Sequence, residues 1–94
     1  MNHAIIIEDH AYDPASIAIS VGDTITWENR DTVRHTATRT DAPAFDTGLI
    51  SPGTTSAPIE FLAPTDAAGI GYFCIPHPFM RGVIIVASVA PNRT

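Results

Sequence analysis

The chain has one cysteine, few basic residues and no long apolar run. A single Cys in 94 residues cannot close an internal disulfide. It is left as a free thiol, an inert core residue or a metal ligand. Lys and Arg together number 5 against 10 Asp and Glu, for a formal net charge of −5. Nucleic acid and anionic membranes both select basic surfaces, so neither is an expected partner. No stretch approaches the ~18 apolar residues of a membrane span, so membrane insertion is not expected. Residues 1–9 contain Glu8 and Asp9 and lack a basic n-region, so they do not read as a secretory leader. Two expectations stay open: a cytoplasmic protein, or a chain from which a leader or an upstream domain was removed ahead of Met1. The pattern also lacks any helix of useful length.

What is present is a globular composition, 45% hydrophobic, in one small domain. That domain is expected over residues 1–90, with 91–94 as a frayed tail or the start of a linker. Short β-rich runs alternate with turn signals at the spacing of an all-β sandwich of seven to eight strands. Residues 3–9 read as a first strand around Ile5, Ile6 and Ile7, and residues 12–15 as a turn. Ile17, Ile19 and Val21 alternate with small polar residues and mark one buried face. Residues 24–28 return with Ile25 and Trp27 on one face. Pro52-Gly53 is a turn dipeptide. Ala57, Ile59 and Phe61 alternate in a strand that Pro58 confines to an edge. Residues 70–74 form a short strand with Tyr72 and Cys74 on one face. Residues 82–89, apolar on both faces, are expected to be central.

The cysteine lies in Cys74-Ile75-Pro76-His77-Pro78-Phe79-Met80, which places a thiolate, an imidazole and a thioether within 7 residues. A second imidazole, His35, lies about 40 residues upstream. Two His and one Cys with a weak axial Met is the donor set that selects copper for electron transfer. Zinc rarely uses Met. Pro76 and Pro78 fix φ and remove backbone donors, so the loop is stiff and holds its ligands with or without metal. Each residue has a plainer reading: Cys74 and Met80 as core filling, His35 as a solvated loop residue, His77 as a surface turn. Those readings leave the joint arrangement unexplained.

The run Phe73-Cys74-Ile75-Pro76-His77-Pro78-Phe79-Met80-Arg81-Gly82 resembles the copper loop of the amicyanins. These are small blue copper proteins of the cupredoxin superfamily, in the plastocyanin and pseudoazurin group. The two-residue gap between His77 and Met80 is the short-loop form. Tyr12-Asp13-Pro14, residues 21–29 and Phe45-Asp46-Thr47-Gly48 are similar to the family's other recurrent segments, so the resemblance covers nearly the whole chain. It implies a cupredoxin-like Greek-key β-sandwich with one type 1 copper at one end. It implies His35, Cys74 and His77 as strong ligands and Met80 as the axial one. The residue after the first His ligand is often Asn in cupredoxins, where it ties that strand to the Cys loop. Here it is Thr36, whose hydroxyl has fewer hydrogen-bonding sites than an amide.

The expected function is a one-electron carrier, with copper cycling between Cu(II) and Cu(I). His77 is expected to present its outer edge to solvent inside an apolar docking patch of Pro76, Pro78 and Phe79, with Pro43 and Ala44 nearby. Redox encounters of this kind are small and short-lived. The resemblance implies a periplasmic or otherwise exported monomer between a dehydrogenase donor, typically an amine dehydrogenase, and a cytochrome or oxidase acceptor. In short-loop relatives the solvent-edge His, here His77, can leave Cu(I) and protonate. Independent catalysis is not expected. Copper oxidases and nitrite reductases need further His-rich centres, and beyond His35 and His77 only His3 and His10 remain of 4 His. Two alternatives are the electron-transfer domain of a larger copper enzyme and a copper-delivery protein without a redox role. A free amino terminus followed by His3 can also chelate Cu(II), which would add a second, non-functional copper.

Overall fold

The structure is a computed structural model, and it describes residues 1–88. Nine strands follow one another with no helix among the described residues. They are β1 (Asn2–Glu8), β2 (Ala11–Asp13), β3 (Ser16–Ser20), β4 (Thr24–Asn29), β5 (Thr38–Arg39), β6 (Phe45–Asp46), β7 (Ile59–Glu60), β8 (Ile70–Phe73) and β9 (Arg81–Ala87). One sheet has the order β2-β1-β4-β7 and the other β3-β9-β8-β5-β6. The parallel pairs β1–β4 and β3–β9 close between segments distant in sequence, and the remaining pairs are antiparallel. Among the described residues, no helix is long and apolar enough to cross a membrane.

The alternation in the sequence becomes the core. Ile5 and Ile7 from β1 and Ile25 and Trp27 from β4 point inward from one sheet, and Ile19, Tyr72, Ile84 and Val86 from the other. Their faces stack as a sandwich. Trp27 Nε1 donates to Tyr72 Oη at 3.2 Å, which satisfies the one polar atom of a fully buried indole.

Several expectations shift by a few residues. A turn at Asp9-His10 precedes the expected one, which narrows to a bend at Pro14-Ala15, and Tyr12 lies inside β2 with its side chain buried. The cause is a two-residue hairpin loop in which Asp9 and His10 both take positive φ, 54° and 55°. The strand expected around Ala57–Phe61 contracts to Ile59–Glu60, at a sheet edge as Pro58 requires. The last strand is interior, between β3 and β8, and it alternates buried and half-buried residues rather than burying both faces fully. Val89 and residues 90–94 lie outside the described residues, as does the expected boundary at residue 90.

Candidate metal centre

Cys74 immediately follows β8, and Met80 immediately precedes β9. Because β8 and β9 pair antiparallel up to Phe73 and Arg81, the seven-residue segment 74–80 closes the end of one sheet. The loop bonds to itself. The N–H of Cys74 donates to Met80 O (3.2 Å), that of His77 to Cys74 O (3.2 Å) and that of Met80 to His77 O (2.9 Å). Pro76 and Pro78 fill intervening positions that then need no N–H acceptor. Cys74 and Met80 are fully buried, while His77 is half-buried.

His35 arrives from the segment between β4 and β5. A local antiparallel bridge with Ile50 holds its backbone, with N–H···O distances of 3.3 and 2.8 Å. Its ring is fully buried. The Nδ1 atoms of His35 and His77 each lie 3.6 Å from Cys74 Sγ, and the two ring centroids are 4.8 Å apart. His35 Nε2 lies 2.7 Å from Asp31 Oδ2. That contact assigns the ring proton to Nε2 and leaves the Nδ1 lone pair facing the thiol. Burial lowers the His35 pKa, the Asp31 carboxylate opposes that shift, and His77 and His10 add to the lowering. Burial pushes Asp31 upward, but the N–H groups of His10 and Asp9 and the His35 ring outweigh it and hold the carboxyl below its ordinary value.

This donor set fits copper. Donors at about 2.0–2.3 Å from one ion stand roughly 3.5–3.8 Å apart in trigonal or tetrahedral arrangements, and the observed S···N spacings are 3.6 Å. A soft thiolate, two imidazoles and an adjacent buried thioether are the ligands that blue-copper sites use.

Thr36, fully enclosed next to His35, takes the place of the expected Asn. Its N–H points at Cys74 Sγ (3.3 Å), and its Oγ1 accepts the N–H of Ile75 (2.9 Å). The hydroxyls of Thr36 and Thr38 meet at 2.9 Å, and Thr38 donates onward to Asp46 Oδ1 at 2.9 Å. A hydroxyl has one proton, so the consistent chain is Ile75 N–H to Thr36, Thr36 to Thr38, Thr38 to Asp46. Thr36 thus ties the segment ahead of β5 to the Cys loop through both backbone and side chain.

Pro76, Pro78 and Phe79 are exposed around His77, with Phe79 at 70%. Pro43 and Ala44 do not join them. They line a separate cleft with Phe45, Ile59 and Phe61. The reason is topological: the chain leaves His35 along β5, and the β5–β6 turn lies beyond Arg39, whose guanidinium holds Gly71 O and Ala42 O. The place expected for them is taken by Leu49 and Ile75, 60% and 51% exposed, which share a shallow apolar pocket with Thr36 and Pro76.

Three other side chains were not singled out by sequence reasoning. Leu49 gave no signal beyond being apolar. Asp31 stands four residues before His35 in a polar loop, a spacing that could have suggested a ring partner. His10 was noted only as a spare imidazole, yet its ring lies 5.1 Å from that of His35 and 4.8 Å from that of His77, and stacks on Phe79 at 6.1 Å. His3 sits in β1 opposite Ile25 of β4, in the part of the strand that β2 does not reach, and its Nε2 contacts Asp23 Oδ2 at 2.9 Å.

Two strand-only sheets with a thiolate, two imidazoles and a thioether gathered at one end define a small metal-binding β-sandwich. The chain belongs to the family described as copper binding proteins, plastocyanin/azurin family, which matches residues 1–87. Amicyanin of Paracoccus denitrificans is 33% identical over 75 residues, covering 80% of this chain and 57% of that protein. Amicyanin of Paracoccus versutus is 30% identical over 86 residues, covering 85% and 61%. The methylamine utilization protein MauL of Methylophilus methylotrophus is 32% identical over 88 residues, covering 90% and 49%. The chain therefore spans about half to three fifths of the length of these relatives. Among solved structures, a reduced amicyanin variant superimposes with a TM-score of 0.81 at 25% identity, covering 90% of this chain and 81% of that one. The expected cupredoxin-like sandwich and the amicyanin-like resemblance are borne out.

Proposed function

We propose that this chain is a one-electron carrier with a single type 1 copper held by His35, Cys74 and His77, with Met80 as the axial ligand. Bound copper supplies the Cu(II)/Cu(I) couple. The observation that carries the reading is the placement of Cys74 Sγ at 3.6 Å from both imidazole Nδ1 atoms, in a buried pocket. The protein's own groups supply rigidity. Asp31 orients His35, Thr36 N–H caps the sulfur, and the loop's internal hydrogen bonds fix Cys74 relative to Met80. Ligands held by bonds independent of the metal move little when the charge on the site changes. Four donors on one ion would leave a substrate no open position, so the reading is a carrier rather than a catalyst.

Electrons enter and leave at the His77 edge, through an apolar rim of Pro76, Pro78, Phe79, Ile75 and Leu49. Partners are redox proteins, a dehydrogenase as donor and a cytochrome or oxidase as acceptor. The kinship with amicyanins and with a protein of methylamine utilization supports an amine-oxidising donor and an exported, periplasmic setting.

The test is a visible and EPR spectrum after one equivalent of Cu(II) is added to the reduced apo-protein, beside Cys74→Ser. An intense thiolate-to-copper band with narrow hyperfine splitting, lost in the variant, is expected. A weak band with wide splitting that persists in the variant would overturn the assignment. Rapid electron exchange with retained copper separates a carrier from a delivery protein, which would instead pass Cu(I) to an acceptor.

A further inference from the structure

The β1–β2 turn carries an unusual local cost. Both of its residues are in the left-handed region, where Asp and His are tolerated but Asn-Gly or Asp-Gly are preferred. His in place of Gly there costs roughly 1 kcal/mol. Asp31 compensates by accepting the N–H of Asp9 at 2.7 Å and of His10 at 2.9 Å, while its Oδ2 also meets His35 Nε2. One carboxylate therefore fixes the turn that carries His10 and the ring of His35. The result hangs the His10 imidazole over the mouth of the metal pocket, edge-on to both His35 and His77. One ligand atom from each of His10, His35 and His77 lies within 4.8 Å of the other two. Three imidazoles about 2.0–2.1 Å from one ion stand roughly 3.3 Å apart in tetrahedral geometry. His10 is 43% exposed, with its Nδ1 3.9 Å from Asp31 Oδ2 and its ring stacked on Phe79, whereas His35 is fully buried, so closing the three donors on one ion requires the His10 ring to turn inward.

The geometry points to a second donor set at this mouth: His10, His35 and His77 form a three-imidazole site for a divalent ion such as Cu(II) or Zn(II). It shares two ligands with the copper site and replaces the thiolate with His10, so only one of the two sites is filled at a time. Three His with an open position is a donor set that zinc and Cu(II) accept without sulfur. The inference rests on the reading of His35 and His77 as ligands given above. Its consequence is a landing place for a divalent ion at the surface, above the thiolate.

The experiment uses the full chain carrying His3→Ala, which removes chelation at the amino terminus. In that background, Cys74→Ala is titrated with Cu(II) by EPR and with Zn(II) by calorimetry, with and without His10→Gly or His10→Asn. Both changes at position 10 suit positive φ, and Gly relaxes the turn, so lost binding cannot be assigned to unfolding. Expected is one equivalent of copper with wide hyperfine splitting and nitrogen superhyperfine structure, and affinity for both ions weakened at least about tenfold when His10 is removed, since even an outer-shell partner is worth about that. Equal affinity and spectra with and without His10, or no binding in Cys74→Ala, overturns the second site. The blue band of the His3→Ala chain with Cys74 intact separates the two readings. If that band forms and His10 has no effect, only the second site fails, whereas its absence removes the type 1 assignment itself.

Discussion

Thr36→Val replaces a hydroxyl by a methyl of nearly the same volume at a residue only 2% exposed. The backbone N–H of Thr36 still reaches Cys74 Sγ, so the change isolates the side chain. The Ile75 N–H loses its 2.9 Å acceptor, and Thr38 Oγ1 loses the donor that faced it. A fully buried N–H left without a partner costs about 1–3 kcal/mol; the Ile75 amide is only partly buried and removing the buried Thr36 hydroxyl recovers part of the cost, so a net loss of about 1 kcal/mol is expected. For a domain of this size that lowers Tm by roughly 4–8 °C. Thr36→Ser keeps the hydroxyl and gives up one methyl, about 0.8 kcal/mol, so it should be the milder change. The assays are thermal and urea unfolding of the apo-protein and hydrogen exchange at the Ile75 amide, which should accelerate in the Val variant and stay slow in the Ser variant. A Val variant as stable as the parent, with Ile75 still protected, would refute the view that this hydroxyl anchors the Cys loop.

Three further outcomes follow from the packing and charge of the sandwich. A Cβ at Gly82 would overlap the Tyr72 ring, with Tyr72 Oη only 2.5 Å away; Gly82→Ala should cost about 1–3 kcal/mol as an overpacked core does, seen as a lower urea midpoint. Tyr72→Phe strips the acceptor from the buried Trp27 Nε1–H and should cost about 1–3 kcal/mol, with a shift in Trp27 fluorescence; an unchanged midpoint would count against that bond. Asp23 is held down to about 2 by His3, the Ser20 N–H and the Met1 amine. Because its folded pKa lies below its unfolded one, the stability it adds is present above about pH 4 and is lost as pH falls through about 2. Urea midpoints at pH 4.5 and 2 should therefore fall further in the parent than in Asp23→Asn.

The sequence made the ligand loop legible because its geometry is local. Cys74, His77 and Met80 are joined by three short hydrogen bonds within seven residues, so their spacing alone brings them together. His35 was legible only as the missing fourth donor, and the bridge to Ile50 that seats it is not written in its own neighbourhood. The core was legible from alternation at Ile19, Ile25 and Trp27, since one-sided burial imposes period two, whereas the continuous run Ile5-Ile6-Ile7 did not tell which of its residues face inward. The two-residue strands were not, because pairing contributed by a neighbouring strand leaves no pattern in so short a run. Pro43 was misplaced relative to the docking rim because proximity in that region depends on the direction of β5. His10 was passed over because it reaches the metal pocket only through a left-handed turn that Asp31, distant in sequence, holds in place.

The anchoring of the four donors is uneven, and the unevenness bears on function. His35 is clamped by Asp31 and by the Ile50 bridge, and Cys74 is held by Thr36 and by the Met80 carbonyl. Met80 is locked in the core at the start of β9. Among the described residues the His77 ring has no hydrogen-bond partner other than the thiol, and its neighbours are aromatic: His10, His35 and Phe79. Of the four donors, His77 is therefore the one that reaches the surface, beside His10. A pocket rigid on three sides favours electron exchange with little rearrangement. The least held of the four donors lies at the rim proposed for docking and beside His10, at the mouth proposed for a second ion. In the proposed reading, contact at that rim and exchange at the metal therefore meet at a single side chain, His77, whose ring lies 6.2 Å from that of Phe79.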